Sequence, residues 1–238
     1  IVDLYYFNPL VEKKKWTTML TSRGCPNKCV FCTSPAFHGT KYRYNSPERM
    51  IEEIEYLLGL GYEEIFFRDE TFTTNRTRVI DFCKTIINNN ISVGWICNGR
   101  VNHIDEEIIK YMKLAGCHTI KFGVESGSQK VLSNLKKGTT LEQTRSAFSI
   151  CRKYDLKTHA HMILNSPGES WTDIQKTVKF LKEIRPTTAT FNLFSPYPGS
   201  PTFENLKHQH NEALLDIKSV LDVFENESAE FFPNICPS

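Results

Sequence analysis

The stretch Ser22-Arg23-Gly24-Cys25-Pro26-Asn27-Lys28-Cys29-Val30-Phe31-Cys32 places three cysteines in a C-x₃-C-x₂-C spacing. Gly24 and Pro26 bend the chain there, so three thiols share one short loop. Soft sulfur ligands at such spacing select an iron–sulfur cluster or zinc. A cubane cluster has four irons, and three thiolates would leave one iron open to a ligand that is not protein. His38, six residues after Cys32, offers the other completion, a structural Cys₃His zinc site.

Working outward, strand-like and helix-like stretches alternate. Thr17–Thr21 reads as a first strand running into the cysteine loop. Ser46-Pro47 is an N-cap with proline at the first helical position, and the helix it opens stops at Gly59 and Gly61. Strands are expected at 65–67, 92–97, 119–124, 158–164 and 188–194. Between them, Val79, Cys83, Ile86 and Ile87 mark one helix face, Asp105 caps another helix, Thr139-x-x-Glu142 reads as a capping box, and Ser170-x-x-Asp173 caps a fourth helix. Six strands each followed by a helix imply a parallel sheet, because parallel neighbours need crossover connections. Periodicity alone leaves an open doubly wound sheet and a barrel equally possible.

At the cysteines, with Phe31 before the last of them, the sequence resembles the radical S-adenosylmethionine (SAM) enzymes, and its SRGCP-x-x-C-x-F-C form resembles the cobalamin-binding branch most. The resemblance implies a six-stranded partial (β/α)₆ TIM-like barrel. It implies a 4Fe–4S cluster on Cys25, Cys29 and Cys32, with SAM chelated at the open iron and cleaved reductively to a 5′-deoxyadenosyl radical that abstracts hydrogen from substrate. Asp69 and Glu70, after the second strand, match a segment that binds the SAM ammonium. Glu125 and Ser126 match a ribose-contacting segment, Lys137 a position that pairs with the SAM carboxylate, and Ile163 one that packs on adenine. In that last segment His161 and Asn165 stand where the family carries glycine. By strand parity His159 and His161 share the face of Ile163, which makes His161 a catalytic candidate. Arg100, after the third strand, resembles another family position and is the second candidate. Ser195–Pro201 resembles a proline-rich loop of the cobalamin-linked branch, suited to wall the cavity.

The resemblance divides the chain into a lead-in at 1–16, a radical SAM domain at 17–204 and a helical extension at 205–238, carried by Ala213, Leu214, Ile217, Val220, Leu221 and Phe224. The start at Ile1 rather than methionine reads as an excised domain, with cobalamin held by a domain absent from this chain. A small-molecule substrate and a flavodoxin or ferredoxin reductant are implied, for methylation or cyclisation. A methylthiotransferase acting on tRNA or protein is the enzyme alternative, and a non-catalytic zinc or iron–sulfur module the alternative of another class.

The bulk properties fit. With 238 residues, 40% hydrophobic and 24% charged, the chain can bury one sizeable core. A net charge of +2 gives no electrostatic case for nucleic acid. No apolar run approaches the roughly 20 residues of a membrane span. Five of the eight cysteines (Cys83, Cys97, Cys117, Cys151, Cys236) are scattered as small hydrophobes, which suits a reducing cytoplasm.

Overall fold

The computed structural model describes residues 10–209. The helix expected over 213–224 lies outside them. Six strands form one parallel sheet in sequence order: β1 (Trp16–Met19), β4 (Glu64–Phe67), β5 (Gly94–Gly99), β6 (Cys117–Glu125), β7 (Lys157–Leu164) and β8 (Thr188–Leu193). Consecutive order with a helix after each strand is the partial (β/α) barrel that the sequence led us to expect. β1 and β8 are the sheet's two edges.

The helices start where capping chemistry dictates. α2 (Pro47–Gly59) begins with the Ser46 hydroxyl accepting from the Arg49 amide, α3 (Arg76–Asn88) with Asn75 accepting from Arg78, and α4 (Glu106–Leu114) with Asp105 accepting from Ile108. In α6 (Leu141–Lys153) the capping box is Thr140 with Gln143, one residue beyond the expected Thr139 and Glu142. Thr139 is buried, so the more exposed Thr140 takes the cap. α7 (Trp171–Ile184) opens on the expected Ser170–Asp173 box.

The sheet's two faces have different tasks. Ile65, Phe67, Trp95, Cys97, Ile120, Phe122, Ala160 and Met162 point outward into one core shared with the helices. Within it, Phe67, Phe72, Phe82 and Trp95 pack with ring centroids 4.8–5.9 Å apart, mostly edge to face, with Phe67 and Phe72 stacked. A buried ring of this kind is worth about 3–5 kcal/mol on truncation to alanine. Because Phe67 and Phe72 flank Arg68–Thr71, their contact locks the segment that follows β4. The alternate residues Phe66 and Ile96 are buried but belong to the inner face.

Between β1 and α2 the chain makes an excursion that holds the cysteines. It leaves and returns through an antiparallel pair absent from the sequence reading, β2 (Ser22–Arg23) against β3 (Arg43–Tyr44), and carries the short α1 (Ser34–His38). α5 (Gln129–Asn134) follows β6. α8 (Pro201–Gln209) crosses the boundary expected at 204/205.

Candidate functional site

The cysteine loop is fixed from four sides before any ligand is considered. At its base the fully buried Asp69 carboxylate accepts from the Thr21 amide, the Thr21 hydroxyl and the Ser22 hydroxyl, each at 2.6 Å. Arg78 lies 3.8 Å from that carboxylate. Its guanidinium donates to the Asn45 and Thr21 carbonyls and to the Tyr42 hydroxyl, all at 3.1 Å. One buried pair therefore ties the outgoing and returning ends of the excursion together. Further along, the Cys25 amide donates to the Gly39 carbonyl at 3.2 Å and the Val30 amide to the Leu135 carbonyl at 3.1 Å. The Val30 carbonyl accepts from the Thr202 amide and hydroxyl, both at 3.0 Å. Gly24 has φ +88°, and a Cβ there would lie 2.2 Å from the Lys41 carbonyl oxygen. Only glycine allows that approach.

Cys25, Cys29 and Cys32 line one cavity of about 300 Å³ at the C-terminal ends of the strands. Phe31, Glu70, Arg100, Glu125, Lys137 and His161 line it too. The structure thus brings most of the expected site residues to one place. Three stand elsewhere. Asp69 is committed to the loop clamp just described, with no carboxylate oxygen left facing the cavity. Ser126 is buried, bonded to the Thr177 hydroxyl at 3.1 Å and accepting from the Ser128 amide; it joins the β6 turn to α7. Ile163, half-buried on the face of His161, is not part of the lining. Asn165 follows the end of β7 at φ +61° and leaves the strand's alternation. The 195–201 loop adds no residue to the lining, and Thr202, just after it, braces the cysteine loop.

Among the described residues no three His, Cys, Asp or Glu side chains are already drawn together around a metal position. His38 does not join the cysteines; its Nδ1 contacts the Glu70 carboxylate. That removes the Cys₃His zinc geometry. Burial pushes the Cys32 thiol up from its ordinary value, with the two neighbouring thiols adding to the shift.

Glu125 and Lys137 form a buried ion pair at 2.6 Å, and Lys137 lies over the Phe31 ring at 5.7 Å. Glu125 sits at φ +65° beside a register shift in the β6–β7 pairing. Non-glycine residues rarely hold this conformation, which costs roughly 1–3 kcal/mol and concentrates at functional sites. The missing Cβ of Gly123 makes room for the pair: a methyl there would lie 2.3 Å from Glu125 Oε1 and 2.6 Å from Lys137 Nζ. Arg100 donates to the Lys137 carbonyl and lies 3.9 Å from the Cys29 sulfur. The wall leaves polar atoms unpaired: Ser34 Oγ, Glu70 Oε2 and Arg100 Nε are buried with no hydrogen-bond partner among the described residues, and all three residues line the cavity. Orphaned donors and acceptors around a thiol-lined cavity fit a polar, metal-bound occupant.

The sequence reading missed Asn27, Asn98, Thr71 and Lys121, which also line the cavity. Strand parity held the signal for Asn98 and Lys121. They are opposed in the β5–β6 register, and Lys121 is opposed to His159.

Fold and site together define a (β/α) barrel protein whose strand ends present three thiols and a polar cofactor cavity. A family profile for the radical SAM superfamily matches residues 19–181, and the chain belongs to that superfamily. Membership brings the 4Fe–4S cluster and SAM as cofactors, and an enzymatic activity. An uncharacterized methyltransferase of Pyrococcus horikoshii is 38% identical over 78% of this chain and 41% of its own length. The anaerobic magnesium-protoporphyrin IX monomethyl ester cyclase of Cereibacter sphaeroides is 30% identical over 86% of this chain and 34% of its own. The chain therefore spans about two fifths or less of these relatives. Among solved structures, the radical SAM methyltransferase TsrM from Kitasatospora setae, with cobalamin and a [4Fe–4S] cluster bound, superposes with a TM-score of 0.76 at 22% identity, covering 81% of this chain and 36% of that one. No helix among the described residues is long and apolar enough to cross a membrane.

Proposed function

We propose that this chain is the catalytic domain of a cobalamin-dependent radical SAM enzyme that methylates or cyclises a small molecule, with cobalamin held outside the chain. The observation that carries the reading is the single cavity that gathers three thiols of one loop, the unpaired atoms of Glu70 and Arg100, and the Glu125–Lys137 wall. The methyltransferase and cyclase names of the two curated relatives support the branch.

When bound, the cluster and SAM supply reductive cleavage of a sulfonium and the hydrogen-atom abstraction that follows. Everything else falls to the chain's own side chains. Cys25, Cys29 and Cys32 are the iron ligands. Arg100 sets a positive charge beside Cys29 and so offsets thiolate charge. Glu70 faces the cavity with one free carboxylate oxygen, suited to an ammonium group, and Glu125 offers its remaining acceptor capacity to ribose hydroxyls. Lys137, level with Phe31, suits a carboxylate. His161 donates to or accepts from Thr190 through Nδ1 at 3.0 Å. Burial and the nearby Lys121 hold its pKa down at about 3, so it meets substrate as a neutral imidazole.

Anaerobic reconstitution with iron and sulfide tests the reading. A brown protein whose cluster spectrum shifts on adding SAM is expected, and methyl transfer from isotope-labelled SAM in the complete protein with cobalamin would establish the branch. A colourless protein that binds one zinc tightly would overturn it.

A further inference from the structure

The inner face of the barrel is layered by the strand register. Phe66 and Ile96, opposed on β4 and β5, form an apolar floor. One step toward the cavity mouth, Arg68, Asn98, Lys121 and His159 fall on one level across four strands: Phe67 opposes Cys97, Asn98 opposes Lys121, and Lys121 opposes His159. Two of these four are cations, and both lie over the ring of Phe66, Arg68 at 4.7 Å and Lys121 at 4.9 Å from its centroid.

Neither cation has a carboxylate partner among the described residues. The carboxylates nearby are turned to other partners: Asp69 to Thr21, Ser22 and Arg78, Glu125 to Lys137, and Glu70 to His38 through one oxygen, its other oxygen being the one assigned above to an ammonium group. His159 adds no negative charge, being bonded to the Thr188 and Thr190 hydroxyls at 2.7 and 3.2 Å. Asn98 donates to the Asp69 carbonyl at 2.9 Å. Two like charges thus lie beside one ring, Lys121 half-buried in the cavity wall and Arg68 exposed, and among the described residues no carboxylate balances them.

We propose that Lys121, in the cavity wall, and Arg68, exposed beside it on the same level, form an anion subsite at the edge of the cavity that receives a carboxylate or phosphate group of the substrate. The chemistry suits the two side chains: a planar guanidinium fork and a mobile ammonium together grip an oxyanion. Burial and Arg68 push the Lys121 ammonium down to about 8. That is the response of a desolvated cation facing another cation, and an anion bound against both would reverse it. The site differs from the Lys137 position, which is paired with Glu125 and assigned above to the cofactor's carboxylate. The assignment rests on the reading that the cavity holds SAM and a substrate, and the test separates the two.

The probes are pyrophosphate and succinate, added to the reconstituted protein at ionic strength matched with chloride, with thermal stabilisation as the readout. One or both should raise the midpoint, and the stronger of the two tells phosphate from carboxylate. Lys121→Gln and Arg68→Gln should each weaken the response about tenfold or more, the worth of one charged hydrogen bond. Lys121→Arg should keep the response, and Lys121→Met should melt higher than wild type without probe, because it removes a half-buried charge that faces another cation. SAM-induced spectral shifts should be unchanged in Arg68→Gln, whose side chain is not part of the cofactor cavity's lining. Equal stabilisation of wild type and Lys121→Gln, or no stabilisation of wild type by either probe, would overturn the subsite. An anion response that depends on Lys121 in a protein showing no SAM shift would uphold the subsite and overturn the cofactor reading instead.

Discussion

Replacing Asp69 by Asn separates two roles that the sequence cannot distinguish, cofactor contact and loop anchoring. The wild-type carboxylate is fully buried, accepts three hydrogen bonds of 2.6 Å and stands 3.8 Å from the buried Arg78. Asparagine keeps the shape but removes the charge, leaving the guanidinium without a counter-ion inside the protein. Breaking a buried pair costs about 3–5 kcal/mol. Arg78 retains its carbonyl and tyrosine acceptors and the pair is not in direct contact, so the lower end, about 3 kcal/mol, applies. For a protein of this size each kcal/mol moves Tm by about 2–4 °C, which gives a fall of about 6–12 °C. Thermal unfolding of the cofactor-free protein, followed by circular dichroism, measures this. Because the clamp holds both ends of the cysteine excursion, iron incorporation should fall as well, while the fraction that does load should bind SAM with wild-type affinity. An unchanged Tm together with lost SAM affinity would refute the reasoning and return Asp69 to the cofactor.

Gly24→Ala should impair cluster loading more than global stability, since the clash with the Lys41 carbonyl and the φ of +88° are confined to the loop; iron content against Tm checks it. Glu125→Ala should weaken SAM binding with the cluster intact, by roughly 1.5–3 kcal/mol for a hydrogen bond to a charged group, read by titrating the cluster spectrum; unchanged affinity would leave the residue a partner of Lys137 only. His159 and His161 are held down at about 4 and about 3 by burial, with Lys121 adding to it. The unfolded chain therefore takes up protons near pH 6.5 that the folded chain refuses, and stability should drop as pH falls from about 6.5 toward 4. The His159→Gln, His161→Gln double variant should flatten that acid limb in urea titrations, and because both rings meet Thr190 the two single variants should not add.

The sequence by itself determined the strand–helix alternation, the cap residues at Ser46, Asp105 and Ser170, and the parallel sheet, because these follow from local periodicity and hydrogen-bonding chemistry. The cysteine spacing put three thiols on one loop in the same local way, and parity along β7 placed His161 on the inner face. What only the tertiary structure decided involves partners far apart in the chain. Asp69 and Glu70 are adjacent and chemically alike. Yet Thr21 and Arg78 capture the first, and the second is turned to His38 and the cavity. Ser126 meets Thr177 across 51 positions and so joins β6 to α7. Lys121 reads in sequence as an ordinary strand lysine. Its meaning comes from the register that sets it level with Arg68 over Phe66, and register is a property of neighbouring strands that no single strand contains.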